Sequence, residues 1–220
     1  MTTQIEATAP PRARPGLVLG LACAAQAMVG LDTAIVNVAL PSIQHELGVG
    51  TGVVQWVVVA YGLLLGGFLL VGGRLTDRLG RRRTFLIGVV VFTAASFVAG
   101  AAHQAGLLIA ARAVQGLGAA LVAPAALSLL AVTFADGRER IRAFGVFGAV
   151  AGLAGSVGVV AGGLLAAGPG WRWSFFLNVP VGVAFVAVAL AFLDRTGRPA
   201  APTTRPATAS GGSTFAGPPP

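Results

Sequence analysis

At 220 residues, with 55% hydrophobic side chains and only 10% charged, the chain has a mean hydropathy of +0.83, far above that of a water-soluble domain. Its formal charge of +8 does not signal nucleic-acid binding, because all fifteen cations are arginines and nearly all fall between long apolar runs. The single cysteine, Cys23, lies inside one such run, which excludes a disulfide framework and a cysteine metal cluster.

Residues 1–15 are polar and Pro/Ala-rich, carry Arg12 and Arg14, and read as a cytoplasmic tail. Residues 16–40 form the first candidate span, interrupted by Gln26, Asp32, Thr33 and Asn37. A secretory signal peptide cleaved near Ala25-Gln26-Ala27 is the competing reading, and it fits poorly because the apolar run continues beyond that point. After a short outer turn around His45 and Glu46, a second span covers 53–71 and a third 84–102. A turn around His103 leads to a fourth, 106–134, whose only charge is Arg112. The run 136–142 reads as a loop, a glycine-laden fifth span covers 143–168, Trp171-Arg172-Trp173 marks an interface, and a sixth span covers 175–193. Each run is about as long as the ~20 residues a helix needs to cross ~30 Å of hydrocarbon, so the expectation is an all-α membrane protein with a six-helix domain over 16–193. Residues 194–220, Pro/Ala/Thr/Gly-rich, read as a disordered tail.

Between the second and third spans lies residues 73–83, Gly-Arg-Leu-Thr-Asp-Arg-Leu-Gly-Arg-Arg-Arg, holding five of the fifteen arginines. It reads as a loop in which Gly73 and Gly80 permit a tight reversal and Asp77 is available to a helix N-terminus or a guanidinium. A solvated basic loop accounts for the arginines equally well, though not for the spacing of glycine and aspartate. Counting tails and connections, thirteen arginines fall on one side, Arg172 on the other and Arg112 within a span. The positive-inside rule therefore places both termini in the cytoplasm of a cell (plasma or inner) membrane, with Trp56, Trp171 and Trp173 near the outer boundary as an aromatic belt.

These residues carry a resemblance. Residues 73–82 match every fixed position of Gly-x-Leu-x-Asp-Arg-x-Gly-Arg-Arg, the motif between helices two and three of the major facilitator superfamily. Residues 31–41 (Leu-Asp-Thr-Ala-Ile-Val-Asn-Val-Ala-Leu-Pro) resemble the first-helix motif of its fourteen-span drug:proton antiporter branch. Residues 112–120 (Arg-Ala-Val-Gln-Gly-Leu-Gly-Ala-Ala) are similar to the fourth-helix motif, and residues 171–180 (Trp-Arg-Trp-Ser-Phe-Phe-Leu-Asn-Val-Pro) to the entry to helix six. The resemblance covers residues 16–193. It implies a 3+3 inverted repeat forming one six-helix half of the fold, not an enzyme, working by alternating access without a bound cofactor and drawing on the proton gradient. Its implied partners are the lipid bilayer, a small amphipathic or cationic substrate, and either a second copy or a C-terminal half. The loop with Gly73, Asp77, Arg78, Gly80 and Arg81 would gate the cytoplasmic side, Asp77 meeting a helix of the second half. One departure concerns helix five, where the antiporters' Gly-Pro-x-x-Gly-Gly reads Gly158-Val159-Val160-Ala161-Gly162-Gly163. Val159 imposes no kink, while Gly148, Gly152, Gly155 and Gly162 leave room for close helix approach.

Inside the spans, Asp32 and Arg112 are the only deep ionisable side chains. Each costs at least ~3 kcal/mol if isolated there, so each is expected to face a cavity or a partner. Their depths, roughly 12 Å and 9 Å from the outer span ends at ~1.5 Å per residue, let them share one cavity. Low dielectric favours a neutral Asp32 and a nearby guanidinium an ionised one, so motion that alters their separation would load or release a proton. A static ion pair joining the first and fourth spans is the alternative. On the first span Gln26, Gly30, Thr33 and Asn37 form a polar stripe that could face substrate. Arg112, Gln115, Gly116 and Ala119 share a face of the fourth, either cavity wall or packing seam. His45 and His103 lack metal-ligand neighbours, and no nucleophile–base pair or phosphate loop occurs. Two functions follow: a proton-coupled exporter present as a half-length chain, or a non-transporting membrane module that associates with other membrane proteins.

Overall fold

The computed structural model describes residues 15–135 and 137–192. The two tails read from the sequence, with Arg12, Arg14, Arg195, Arg198 and Arg205, lie outside the described residues apart from Pro15, as does Asp136. The described chain is helical: α1 Pro15–Leu47, α2 Thr51–Leu79, α3 Arg81–Gly100, α4 Ala105–Thr133, α5 Gly137–Ala167, α6 Arg172–Phe176 and α7 Asn178–Phe192. Six segments are long and apolar enough to cross a membrane, the sixth being α6 and α7 together. Pro180 explains the break between them: it has no N–H for the Phe176 carbonyl, and its ring crowds that oxygen. Leu177, the residue at the break, keeps helical dihedrals, so the sixth span continues without reversing.

Helices run further into polar sequence than the hydropathy suggests. α1 passes through Pro41 and carries His45 and Glu46 in its last turn, so His45 is helical and not in a turn. α5 begins at Gly137, so most of the expected 136–142 loop is its first turn and a half. The largest correction concerns residues 73–83. Gly73 to Leu79 continue α2 and Arg81 opens α3, leaving Gly80 alone as the connection. Its φ of +87° lies in the left-handed region that a side chain disfavours, so glycine here is what allows a one-residue reversal. Gly73, by contrast, is an ordinary helical residue.

The helices pack as an interchanged pair of three-helix units. α4 lies against α2 and α3, while α1 lies against α5, and α1 and α4 also touch. α1 on α5 is the counterpart of α4 on α2, the relation that an inverted 3+3 repeat produces. Small residues bring the backbones close. A Cβ on Gly116 of α4 would fall 2.4 Å from the Tyr61 carbonyl oxygen of α2, and one on Gly118 would fall 2.6 Å from the Phe92 nitrogen of α3. On α5, Gly158 and Gly162 seat against Ala34 and Ile35 of α1 in the same way. Gly148, Gly152, Gly155 and Gly163 do not: nothing lies within 4 Å of a Cβ at any of them. α5 is unbroken through Val159, which is exposed on its outer face, in keeping with the absence of proline.

The apolar core falls into two clusters. One gathers Met28, Tyr61, Phe92, Ala119, Val122 and Phe185. The other gathers Val36, Val57, Ala99, Leu108, Ala111 and Phe175. On α1 the division falls between residues 29 and 36, on α3 between 92 and 99, on α4 between 111 and 119, and on the sixth span between 175 and 185. A polar layer occupies that gap.

Candidate functional site: a polar layer inside the bundle

Asp32 of α1 and Arg112 of α4 meet in this layer, both fully buried, with Arg112 Nη1 donating to Asp32 Oδ2 at 2.5 Å. The same nitrogen donates to Gln115 Oε1 at 2.7 Å, and Arg112 Nε donates to the Val57 carbonyl of α2 at 3.1 Å. Gln115 Nε2 in turn donates to Asp32 Oδ1 at 2.8 Å and to Ser96 Oγ of α3 at 2.7 Å. Asn178, the first residue of α7, donates through Nδ2 to Asp32 Oδ1 at 2.8 Å and more distantly to Ser96 Oγ at 3.4 Å. The guanidinium lies over the Tyr61 ring, 4.1 Å from its centroid, and 5.8 Å from that of Phe175. Five of the six spans thus converge on one carboxylate and one guanidinium. Such convergence is what low dielectric demands, since an unpaired charge at this depth costs several kcal/mol.

Arg112 was chosen from the sequence because it is charged, and Gln115 because it shares its face. In the structure Gln115, Gly116 and Ala119 are buried between helices, and Gln115 spends its amide inside the layer. Ser96, Asn178 and Tyr61 were not singled out. Their signal was depth, since each lies in its span at the level of Asp32. Within the layer, Arg112 Nη2 and the Tyr61 hydroxyl have no hydrogen-bond partner among the described residues.

The stripe on α1 stays apart from this layer. Gln26 and Thr33 are half-buried and Asn37 exposed. The Thr33 hydroxyl donates to the Val29 carbonyl and the Asn37 amide to the Thr33 carbonyl, so both spend a donor on their own helix. At the arginine-rich end, Arg81 Nε donates to Ser128 of α4, and Arg82 donates to the Ala189 and Leu190 carbonyls near the end of α7. Asp77 and Arg78 are exposed and enter no hydrogen bond or ion pair among the described residues. At the opposite end, Glu46 accepts from Trp171 Nε1 at 2.6 Å and pairs with Arg172, whose Nη2 donates to the Ala102 carbonyl, just beyond α3, at 3.0 Å. Trp171 is therefore an anchor, 1% exposed, and not a belt residue; Trp56 and Trp173 are exposed as a belt requires. Among the described residues no cluster of metal-ligating side chains occurs.

Known proteins are similar to this chain in sequence and in fold. The chain is 49% identical over 190 residues to the puromycin resistance protein pur8 of Streptomyces alboniger, covering 86% of this chain and 37% of that protein. It is 44% identical over 171 residues to the cephamycin export protein CmcT of Amycolatopsis lactamdurans, covering 78% and 35%. Among solved structures, a peptide transporter POT crystallised with sulfate superposes on 80% of this chain and 37% of its own, with a TM-score of 0.69 at 18% identity, a likeness of fold. The chain spans about a third of the length of these relatives. The family model described as Major Facilitator Superfamily matches residues 22–218. With its multi-pass helical architecture and half of that fold in place, the chain belongs to the Major Facilitator Superfamily, a family of membrane transporters rather than enzymes.

Proposed function

We propose that this chain forms the first half of a proton-coupled exporter of small amphipathic or cationic compounds, working by alternating access from the cell membrane with both termini cytoplasmic. The observation that carries the reading is the buried Asp32–Arg112 pair, an ionisable couple held at one depth between two apolar clusters. Relatives named for puromycin resistance and cephamycin export support export as the direction and antibiotics as the substrate class. In this mechanism Asp32 carries the proton and Arg112 competes with it: while the pair is closed the carboxylate is compensated, and when α1 and α4 separate it takes a proton. Each charge state has a partner in one conformation only, which is how a proton becomes tied to a motion. Gln26, Thr33 and Asn37 face the substrate path, with Gln115 reaching it once the seam opens. The end carrying Gly73, Asp77, Arg78, Gly80 and Arg81 gates the cytoplasmic side against a second six-helix half, from a continuation of the chain or another copy. No bound cofactor enters this scheme; the proton gradient supplies the energy.

The test is reconstitution of the chain in proteoliposomes, with its mass measured in detergent and puromycin as the first probe. Puromycin-driven proton movement by a dimer, lost in Asp32→Asn while insertion is retained, supports the reading. Unchanged exchange in Asp32→Asn removes Asp32 from the mechanism. A monomer without flux favours the second reading, a six-helix module that associates with other membrane proteins without transporting.

A further inference from the structure

Asp32 Oδ1 accepts two N–H donors, from Gln115 and from Asn178, while Oδ2 faces Arg112. A carboxylate oxygen offers about two lone-pair positions, so Oδ1 is filled by its two donors, which stabilise the charged form, while Oδ2 with its single donor keeps one position open. The two donors are not equivalent. Gln115 is on the same helix as Arg112, one turn away, and is tied three ways: its Oε1 accepts from Arg112 and its Nε2 also donates to Ser96. Asn178 belongs to a different span, sits immediately after the break at Leu177, and has only one other contact, the 3.4 Å approach to Ser96.

We infer that Asn178 is a positioning residue that holds Asp32 in its unprotonated, Arg112-facing arrangement, so that proton uptake becomes easier once its amide leaves Oδ1. The inference rests on the proton-carrying role proposed for Asp32. In the protonation step one proton arrives at the carboxylate, which becomes a neutral acid, with nothing oxidised or reduced. The groups facing Asp32 are the charged Arg112 of α4, the Tyr61 phenol of α2, and the neutral Ser96, Gln115 and Asn178. On the α5 side, Ala154, Gly158 and Gly162 are among the residues against α1, and α5 carries no charged residue beyond Arg142. Arg112 supplies the compensating charge at Oδ2, and Asn178, from a different span, supplies a neutral donor at the opposite oxygen.

The experiment is a pH titration of the protonated-carboxyl infrared band of the reconstituted full chain, assigned to Asp32 by its loss in Asp32→Asn. Removing one hydrogen bond to the charged form makes protonation easier. In Asn178→Ala the band is expected to develop about one pH unit higher than in the parent chain. Asn178→Gln keeps the amide on a longer arm and should recover part of the shift, which a role limited to packing would not do. Should Asn178→Ala fail to insert, Asn178→Ser, smaller and still a donor, is titrated in its place, with a smaller alkaline shift expected. An Asp32 band that titrates in the parent chain and stays at the same pH in the variants overturns the positioning role while leaving the proton-carrying role intact. No titrating Asp32 band in the parent chain overturns both.

Discussion

The polar layer and the arginine-rich end treat charge in opposite ways. In the layer, one aspartate and one arginine recruit side chains or carbonyls from five spans until both carboxylate oxygens have donors. At the end, Arg74, Arg78, Arg81 and Arg83 are exposed, Arg82 is only half-buried, and Asp77 has no partner within the described chain. Water and lipid headgroups solvate that end, so its charges need no fold to satisfy them, and the sequence there is free to serve another surface. The lesson is that burial, rather than charge itself, decides whether an ionisable residue shapes the bundle.

Breaking the contrast from its buried side gives the largest effect. Arg112→Leu leaves Asp32 buried without its counter-charge and should cost about 3–5 kcal/mol, seen as a lower unfolding midpoint in detergent. Arg112→Lys retains the charge but not the three-way geometry at Nη1 and Nε, so it should be destabilised by less and fail to support exchange. Gly116→Val tests the seam beside the layer. Its Cβ would meet the Tyr61 carbonyl at 2.4 Å, and the forced separation of α2 and α4 should cost about 1–3 kcal/mol in the same assay. The smallest effect belongs to the exposed end. Asp77→Asn should leave the unfolding midpoint of this chain unchanged, yet reduce transport wherever a second half is present. A stability loss in Asp77→Asn comparable to that of Gly116→Val would erase the distinction between the two regions.

How far the sequence foretold this follows from what burial costs. The number and order of spans were legible because an uncharged run of about 20 residues has few other uses. The meeting of Asp32 and Arg112 was legible because two lone opposite charges at similar depth have every reason to pair. Helix ends were not. Hydropathy falls where a helix leaves hydrocarbon, but hydrogen bonding does not, so α1 continues through His45 and α2 through Asp77. The supporting members of the layer were hidden for a related reason. A serine or asparagine in an apolar helix can satisfy itself on its own backbone, as Thr33 and Asn37 do. Only relative depth, fixed by how the spans pack, separates Ser96 and Asn178 from those. Trp171 was misplaced because an indole near a span end is more often at the lipid interface than anchored by a glutamate from a neighbouring helix.

The rings above Arg112 have an electrical consequence. Trp171 packs edge-on against Phe175, with centroids 6.0 Å apart, and Phe175 stands 5.8 Å from the guanidinium. Both rings are almost wholly inaccessible, and the Glu46–Arg172 tie pins the top of the column. A membrane that stores energy as a proton difference cannot tolerate a wet path through any of its proteins. Dry aromatic packing between an ionised pair and one face of the bundle acts as insulation, so the charges can sit within the dielectric without short-circuiting it.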